Sequence, residues 1–260
     1  MTRWLARWRA RREARIVERR AISDPLWART LASLPFLVSL PADDRAALRR
    51  LSSLFLDQKE FAGAGGLTVT DEMAVCIAAQ ACLPVLRLGL DGYAGFVGIV
   101  VHPDEVVAAR KMMDDDGVVH EYDEVLSGEA MEGGPLMLSW TDVHAAGESA
   151  DWAYNVVIHE FAHVLDMADG APDGVPVLPS AAARRQWART IEGEYEAFCE
   201  RVDAGDDTAL DPYGTTGVEE FFAVAVEAFF VAPCDMRNEH PALYALFAGY
   251  FKQDPAAPTT

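Results

Sequence analysis

The sequence predicts an α+β fold, mostly helical, with a small sheet beside one buried helix. Three observations lead there. Apolar residues recur at helical spacing over 21–60, 71–83, 180–203 and 216–232. Two short runs rich in β-formers, 96–101 and 136–140, interrupt them. Residues 152–165 are apolar nearly all round, broken by Asn155, His159, Glu160 and His163 alone.

Along the chain, Pro35 and Pro41 break the 21–60 pattern, and Asp43 and Asp44 are placed to open the following helix. Gly63-Ala64-Gly65-Gly66 reads as a turn. Asp71 and Glu72 lead into a buried helix to residue 83, with acids favourably placed in its first turn. Residues 101–134 carry ten acids against Arg110 and Lys111 and read as loop. Asp169–Gly174 is a turn-rich loop, and the tail Ala256–Thr260 is expected to fray.

The bulk numbers exclude several functions. At 260 residues, 51% hydrophobic and 24% charged, the chain can bury a substantial core. A net charge of −19 argues against direct nucleic-acid binding, which needs a basic surface. Residues 1–20 run the other way, with eight Arg and two Glu. Their +6 leaves −19 − 6 = −25 for the rest. This segment reads as a basic N-terminal helix or tail ahead of a domain over 21–255. The favoured reading is a solvated helix held against its own acidic domain. Trp4 and Trp8, one turn apart among the arginines, also allow weak contact with an anionic membrane surface or an acidic partner. Arginine spacing prevents the apolar core of a secretory signal, and no run approaches a membrane span, so a cytoplasmic location is expected. Cys76, Cys82, Cys199 and Cys234 lack CxxC spacing and read as small buried hydrophobes.

The chemistry lies in His159-Glu160-Phe161-Ala162-His163. Histidines four apart share a helical face, so two imidazole nitrogens can meet one zinc ion. Glu160 leans to the same side and can act as base on a metal-bound water. Burying these groups without compensation would cost several kcal/mol.

Two residues compete as third ligand. Asp169 follows His163 where some metallopeptidases place a near ligand, but Asp166 stands where such a turn usually has glycine. Glu220 lies on the apolar helix after residue 216. There Thr216 and Glu219 fit a capping box, which leaves Glu220 without a local role and favours it as ligand. Glu227, seven residues on, is read as solvent-facing rather than as support for the site. Asp166 is either a partner for a ligand imidazole or a helix-end surface acid. Tyr213 could bring a phenol to an oxyanion. The strand near 136–140 is a candidate edge for binding substrate backbone.

Ile77–Leu86, Gly95-Phe96, Val125–Glu129, Leu138-Ser139-Trp140, His159–Asp166, Gly174-Val175-Pro176 and Asp211 through Glu220 to Val224 occur in an order that resembles the Mlc titration factor A family of bacterial zinc metallopeptidases. That family is related in fold to the catalytic domain of anthrax lethal factor. The resemblance spans about residues 50–254. It implies a gluzincin-type fold with His159, His163 and Glu220 holding zinc, Glu160 as acid/base, Tyr213 as the active-site tyrosine, and aminopeptidase-like activity on a peptide or protein substrate. It also implies, for some members, association with a sugar-responsive transcriptional repressor of the Mlc type. Met131 stands where tryptophan is expected, and the Arg-rich N-terminus is not part of the recognised motifs. The rival reading is a non-catalytic zinc-containing protein that sequesters such a repressor. Another metal-dependent hydrolase, acting on a non-peptide bond, is a third.

Overall fold

The computed structural model describes residues 2–113, 119–131, 133–148, 153–170 and 172–257. Trp152, part of the acid-rich stretch and the last three tail residues lie outside them. Helix α1 (Thr2–Arg19) leads to α2 (Asp24–Ser33), α3 (Pro35–Val38) and α4 (Ala42–Gln58). Strand β1 (Glu60–Gly63) is followed by α5 (Asp71–Cys82), β2 (Gly98–His102), β3 (Val106–Met113), β4 (Val119–Leu126), β5 (Gly128–Ala130) and β6 (Leu136–Ser139). The rest is helical: α6 (Trp140–Ala145), α7 (Val156–Asp166), α8 (Ala181–Ala204), α9 (Val218–Val231), α10 (Pro233–Glu239) and α11 (Pro241–Phe251). The α+β expectation holds. Among the described residues no helix is long and apolar enough to cross a membrane.

Pro35 begins α3 and Pro41 caps α4, each sited where a missing N–H is harmless. The stretch read as loop after residue 101 is instead strand: β3 and β4 form an antiparallel hairpin. Its pairing satisfies the backbone despite the acids, which a side-chain pattern alone does not disclose. The other sheet has the order β1-β2-β6-β5, parallel except where β5 runs against β6. The strand near 136–140 is therefore internal, and the edge beside α7 is β5. Ile99 and Val101 on β2 and Leu136 and Leu138 on β6 alternate into the core, as a half-buried sheet requires.

Helix α7 sits at the centre, against α5, α9 and the β5 edge. It begins later than the apolar run suggests, because the Asn155 side chain accepts from Ile158 N (2.9 Å) and starts the helix there. Phe161, fully buried, packs against Phe55, Tyr93 and Phe96 with ring centroids 4.8–5.9 Å apart. Behind α9, Phe222, Phe229, Phe247, Phe251 and Trp187 form a second aromatic cluster. All four cysteines are free. Cys76 and Cys82 are buried as expected, whereas Cys199 is partly exposed and Cys234 exposed. Ala256 is buried and its N–H donates to Tyr244 Oη (2.9 Å), so the tail is anchored that far.

Phe161→Ala should destabilise the protein by about 3–5 kcal/mol, since the ring leaves a cavity among three others. Urea denaturation measures this; a loss below about 1 kcal/mol would mean that the cluster does not hold α7 in place.

Candidate metal centre and its surroundings

Two turns of α7 carry His159 and His163 on one face, and α9 crosses in front of them with Glu220. One ligand atom from each of the three residues lies within 4.8 Å of the others, and no other group of three or more His, Cys, Asp or Glu gathers this way among the described residues. The Nε2 atoms of His159 and His163 are 3.1 Å apart, and Glu220 Oε2 lies 3.1 and 3.3 Å from them. A tetrahedron with zinc–nitrogen bonds of about 2.0–2.1 Å has edges of about 3.3 Å, so this donor set fits such an ion and leaves a fourth position.

Burial works to raise the Glu220 carboxyl, yet hydrogen bonds from both imidazoles outweigh it and hold the group well below the usual carboxylate range. Burial likewise opposes protonation of His159. The Glu227 and Glu220 carboxylates overcome it and hold that imidazole well above its ordinary range. The pocket therefore favours positive charge at its centre.

Asp169 is not part of the cluster; it accepts from Arg184 on α8. The capping box predicted at Thr216 and Glu219 does not form. Thr216 Oγ1 donates instead to Tyr213 O (2.8 Å), and Gly217 is the cap residue without a side-chain bond. Tyr213 is half exposed, its ring centroid 6.2 Å from that of His159.

Glu227, expected in solvent, is buried. Its Oε1 lies 2.7 Å from His159 Nδ1, its Oε2 accepts from Asn155 N, and Asn155 Nδ2 donates to Gln80 Oε1 on α5 (2.8 Å). Seven residues are nearly two helical turns, so Glu227 shares the face of Glu220. The other carboxylate of that face was the signal that could have found it. Gln80, a lone amide among apolar residues of α5, was the corresponding signal for the far end of this chain.

Glu160 is buried, and one carboxylate oxygen has no hydrogen-bond partner among the described residues. Burial pushes its carboxyl upward. The edge strand touches it: a Cβ on Gly128 would come 2.6 Å from Glu160 Cγ and Oε1, so a side chain there would displace the Glu160 carboxyl. Ser139 N donates to Ser127 O (2.7 Å), which makes 127 and 139 a hydrogen-bonded pair in the β5–β6 ladder. Alternation then turns the N–H and C=O groups of Gly128 and Ala130 away from β6, toward the open edge.

At the far end of α7, Asp166 is buried and accepts from Gly174 N (2.9 Å) rather than from a ligand imidazole. Gly174 has φ +71°, Trp187 Nε1 donates to its carbonyl (2.8 Å), and a Cβ there would meet Val218 O at 3.0 Å. One glycine thus joins the ends of α7, α8 and α9.

An α+β domain that gathers two histidines of one helix and a carboxylate of a second, beside a buried glutamate and an edge strand, has the architecture of a metallopeptidase. The chain belongs to the glucose-regulated metallo-peptidase M90 family, whose profile matches residues 6–252. It is similar to Mlc titration factor A of Salmonella arizonae, 34% identical over 237 residues, or 90% of this chain and 93% of that protein. Mlc titration factor A of Pectobacterium atrosepticum is 35% identical over 228 residues, 86% and 85% of the two chains. An uncharacterized protein of Synechocystis sp. is 36% identical over 233 residues, 89% and 85%. The family match takes in most of α1, which motifs starting near residue 50 did not suggest.

Burial pushes the Asp166 carboxyl from an ordinary 3.8 up to about 6, against the hydrogen bond from Gly174. A carboxyl raised on folding binds more protons folded than unfolded between those values. Its stabilising contribution is therefore complete below the unfolded pKa and lost as pH rises through about 6. Asp166→Asn removes that loss, so its unfolding free energy relative to wild type should rise by up to about 3 kcal/mol between pH 4 and pH 7. A difference that stays flat with pH in urea titrations would contradict the raised carboxyl.

Proposed function

We propose that the protein is a zinc-dependent peptidase that binds its ion through His159, His163 and Glu220 and hydrolyses peptide bonds. The observation that carries this reading is the convergence of three ligand atoms within 4.8 Å beside the buried, partly unpaired carboxyl of Glu160. Zinc, when bound, supplies Lewis acidity toward a carbonyl oxygen and makes water a nucleophile near neutral pH.

The side chains divide the remaining work. Glu227 accepts from Nδ1–H of His159, which fixes the tautomer with Nε2 free to ligate. Glu160, its affinity for protons increased by burial, takes the proton from water and returns it to the leaving amine. Tyr213, beside His159, donates its O–H to the oxygen that gains charge. A peptide added along β5 pairs with the outward N–H and C=O groups of Gly128 and Ala130, and Gly128 sets it next to Glu160. A cavity of about 600 Å³, lined by Phe96, Ala130, Met131, Val164 and Met167 among others, continues beyond that strand and suits an apolar side chain.

The sequence resemblance supports aminopeptidase-like action, and a cytoplasmic site of work is kept as the sequence's expectation. The relatives named Mlc titration factor A favour a second role, binding a transcriptional repressor of the Mlc type and so influencing sugar uptake. In the rival form of this reading the zinc site is structural and the protein only sequesters.

Glu160→Gln separates these readings because Glu160 is not a ligand. It should keep its zinc and fold while peptide hydrolysis falls by 10³-fold or more, the upper part of the range for losing a general base, in a peptide-library assay. Equal rates in the two proteins would refute the mechanism; no cleavage by wild type would favour sequestration.

Metal analysis tests the ligands. Glu220→Gln should lose zinc while Asp169→Asn retains it, and Glu227→Gln should bind zinc roughly 10–100-fold more weakly. Retention in Glu220→Gln with loss in Asp169→Asn would move the third ligand to the near position.

A further inference from the structure

Helix α1 divides into two faces. Ile16 and Val17 of its inner face pack against the core, and Glu13 pairs with Arg50 of α4. Near its end, Arg19 and Arg20 reach Asp57 (2.7 and 3.4 Å). These contacts seat the helix on the body of the protein.

The outer face is different. Positions 4, 8 and 12 and positions 7, 11 and 15 form adjoining stripes at i, i+4 spacing. Trp4 is 70% and Trp8 55% exposed. Arg12 lies 6.0 Å over the Trp8 ring. Arg7, Arg11 and Arg15 are exposed and make no ion pair among the described residues. Among the described residues neither indole packs against the core cluster, and Arg12 and the stripe of Arg7, Arg11 and Arg15 adjoin them.

We propose that this face docks the protein on an anionic lipid bilayer. Indole rings favour the headgroup level, where an apolar body and a polar N–H are both satisfied, and adjacent arginines pair with lipid phosphates. The body's −25 does not prevent this, because at physiological ionic strength the Debye length is about 8 Å and the charges at the contact dominate. A nucleic-acid duplex would engage the arginines through its phosphates and leave the paired indoles unused. A bilayer is touched by the one helix lying flat, with the acidic domain facing away. An acidic protein would use the arginines and leave the paired indoles unexplained.

The test uses the full chain and sedimentation with phosphatidylcholine vesicles, with and without phosphatidylglycerol, at low and high salt. Binding should require phosphatidylglycerol and weaken as salt rises. The triple variant Arg7→Glu, Arg11→Glu, Arg15→Glu should bind at least roughly a hundredfold more weakly. Trp4→Ser with Trp8→Ser should bind roughly tenfold more weakly at unchanged charge. Arg29→Glu, a charge change on α2 at a residue paired with Glu72 of α5, should bind as wild type, and thermal melts should show all variants folded. Equal binding to neutral vesicles, or none to anionic ones, overturns the proposal. So does tighter binding to duplex DNA or polyglutamate that ignores the loss of both tryptophans.

Discussion

His159 Nδ1 meets Glu227 Oε1 at 2.7 Å inside the core, and the candidate centre is arranged around that contact. Neither group tolerates burial alone: truncating one partner of a buried pair typically costs 3–5 kcal/mol because the other stays desolvated. The second oxygen of Glu227 accepts from Asn155 N, whose side chain both caps α7 and reaches Gln80. A single run of hydrogen bonds therefore sets α5, α7 and α9 in register. The direction of His159 Nε2, and with it the meeting point with His163 and Glu220, follows from that register.

The opposite end of α7 is held by different means. Asp166 ties its last turn to Gly174, and the left-handed backbone of that glycine allows α8 and the start of α9 to close in. Clamped at both ends, α7 has little freedom to rotate. That matters because a histidine pair four residues apart presents its nitrogens to one point only when the helix face is fixed.

The features that repeat locally could be read from the sequence. The histidine spacing, the apolar stripe of α7, the acids opening α4 and α5 and the short buried strands each depend on neighbours within a turn or two. Glu227 was misplaced because its partner lies on another helix, 68 residues away, and a carboxylate on an apolar stretch looks the same whether it faces water or an imidazole. The acid-rich β3–β4 hairpin was missed for a similar reason, its strands being specified by pairing with each other. Thr216 and Glu219 matched a capping pattern, but the turn at 212–216 draws Thr216 Oγ1 to Tyr213 O and leaves Gly217 at the helix start. Gly128 gave no signal beyond being a glycine; only its contact with Glu160 shows that a side chain there would push the carboxyl aside.

The wide sequence separation within this cluster also governs when it can exist. During synthesis α7 is complete 220 − 166 = 54 residues before Glu220 is added, and Glu227 comes later still. Over that interval the segment carrying the histidines lacks both carboxylates and the aromatic wall behind α9. Closing such a distance is a late, long-range event, because the entropy of the intervening loop must be lost before the contacts form. The three candidate ligand atoms therefore meet only with the docking of the C-terminal third.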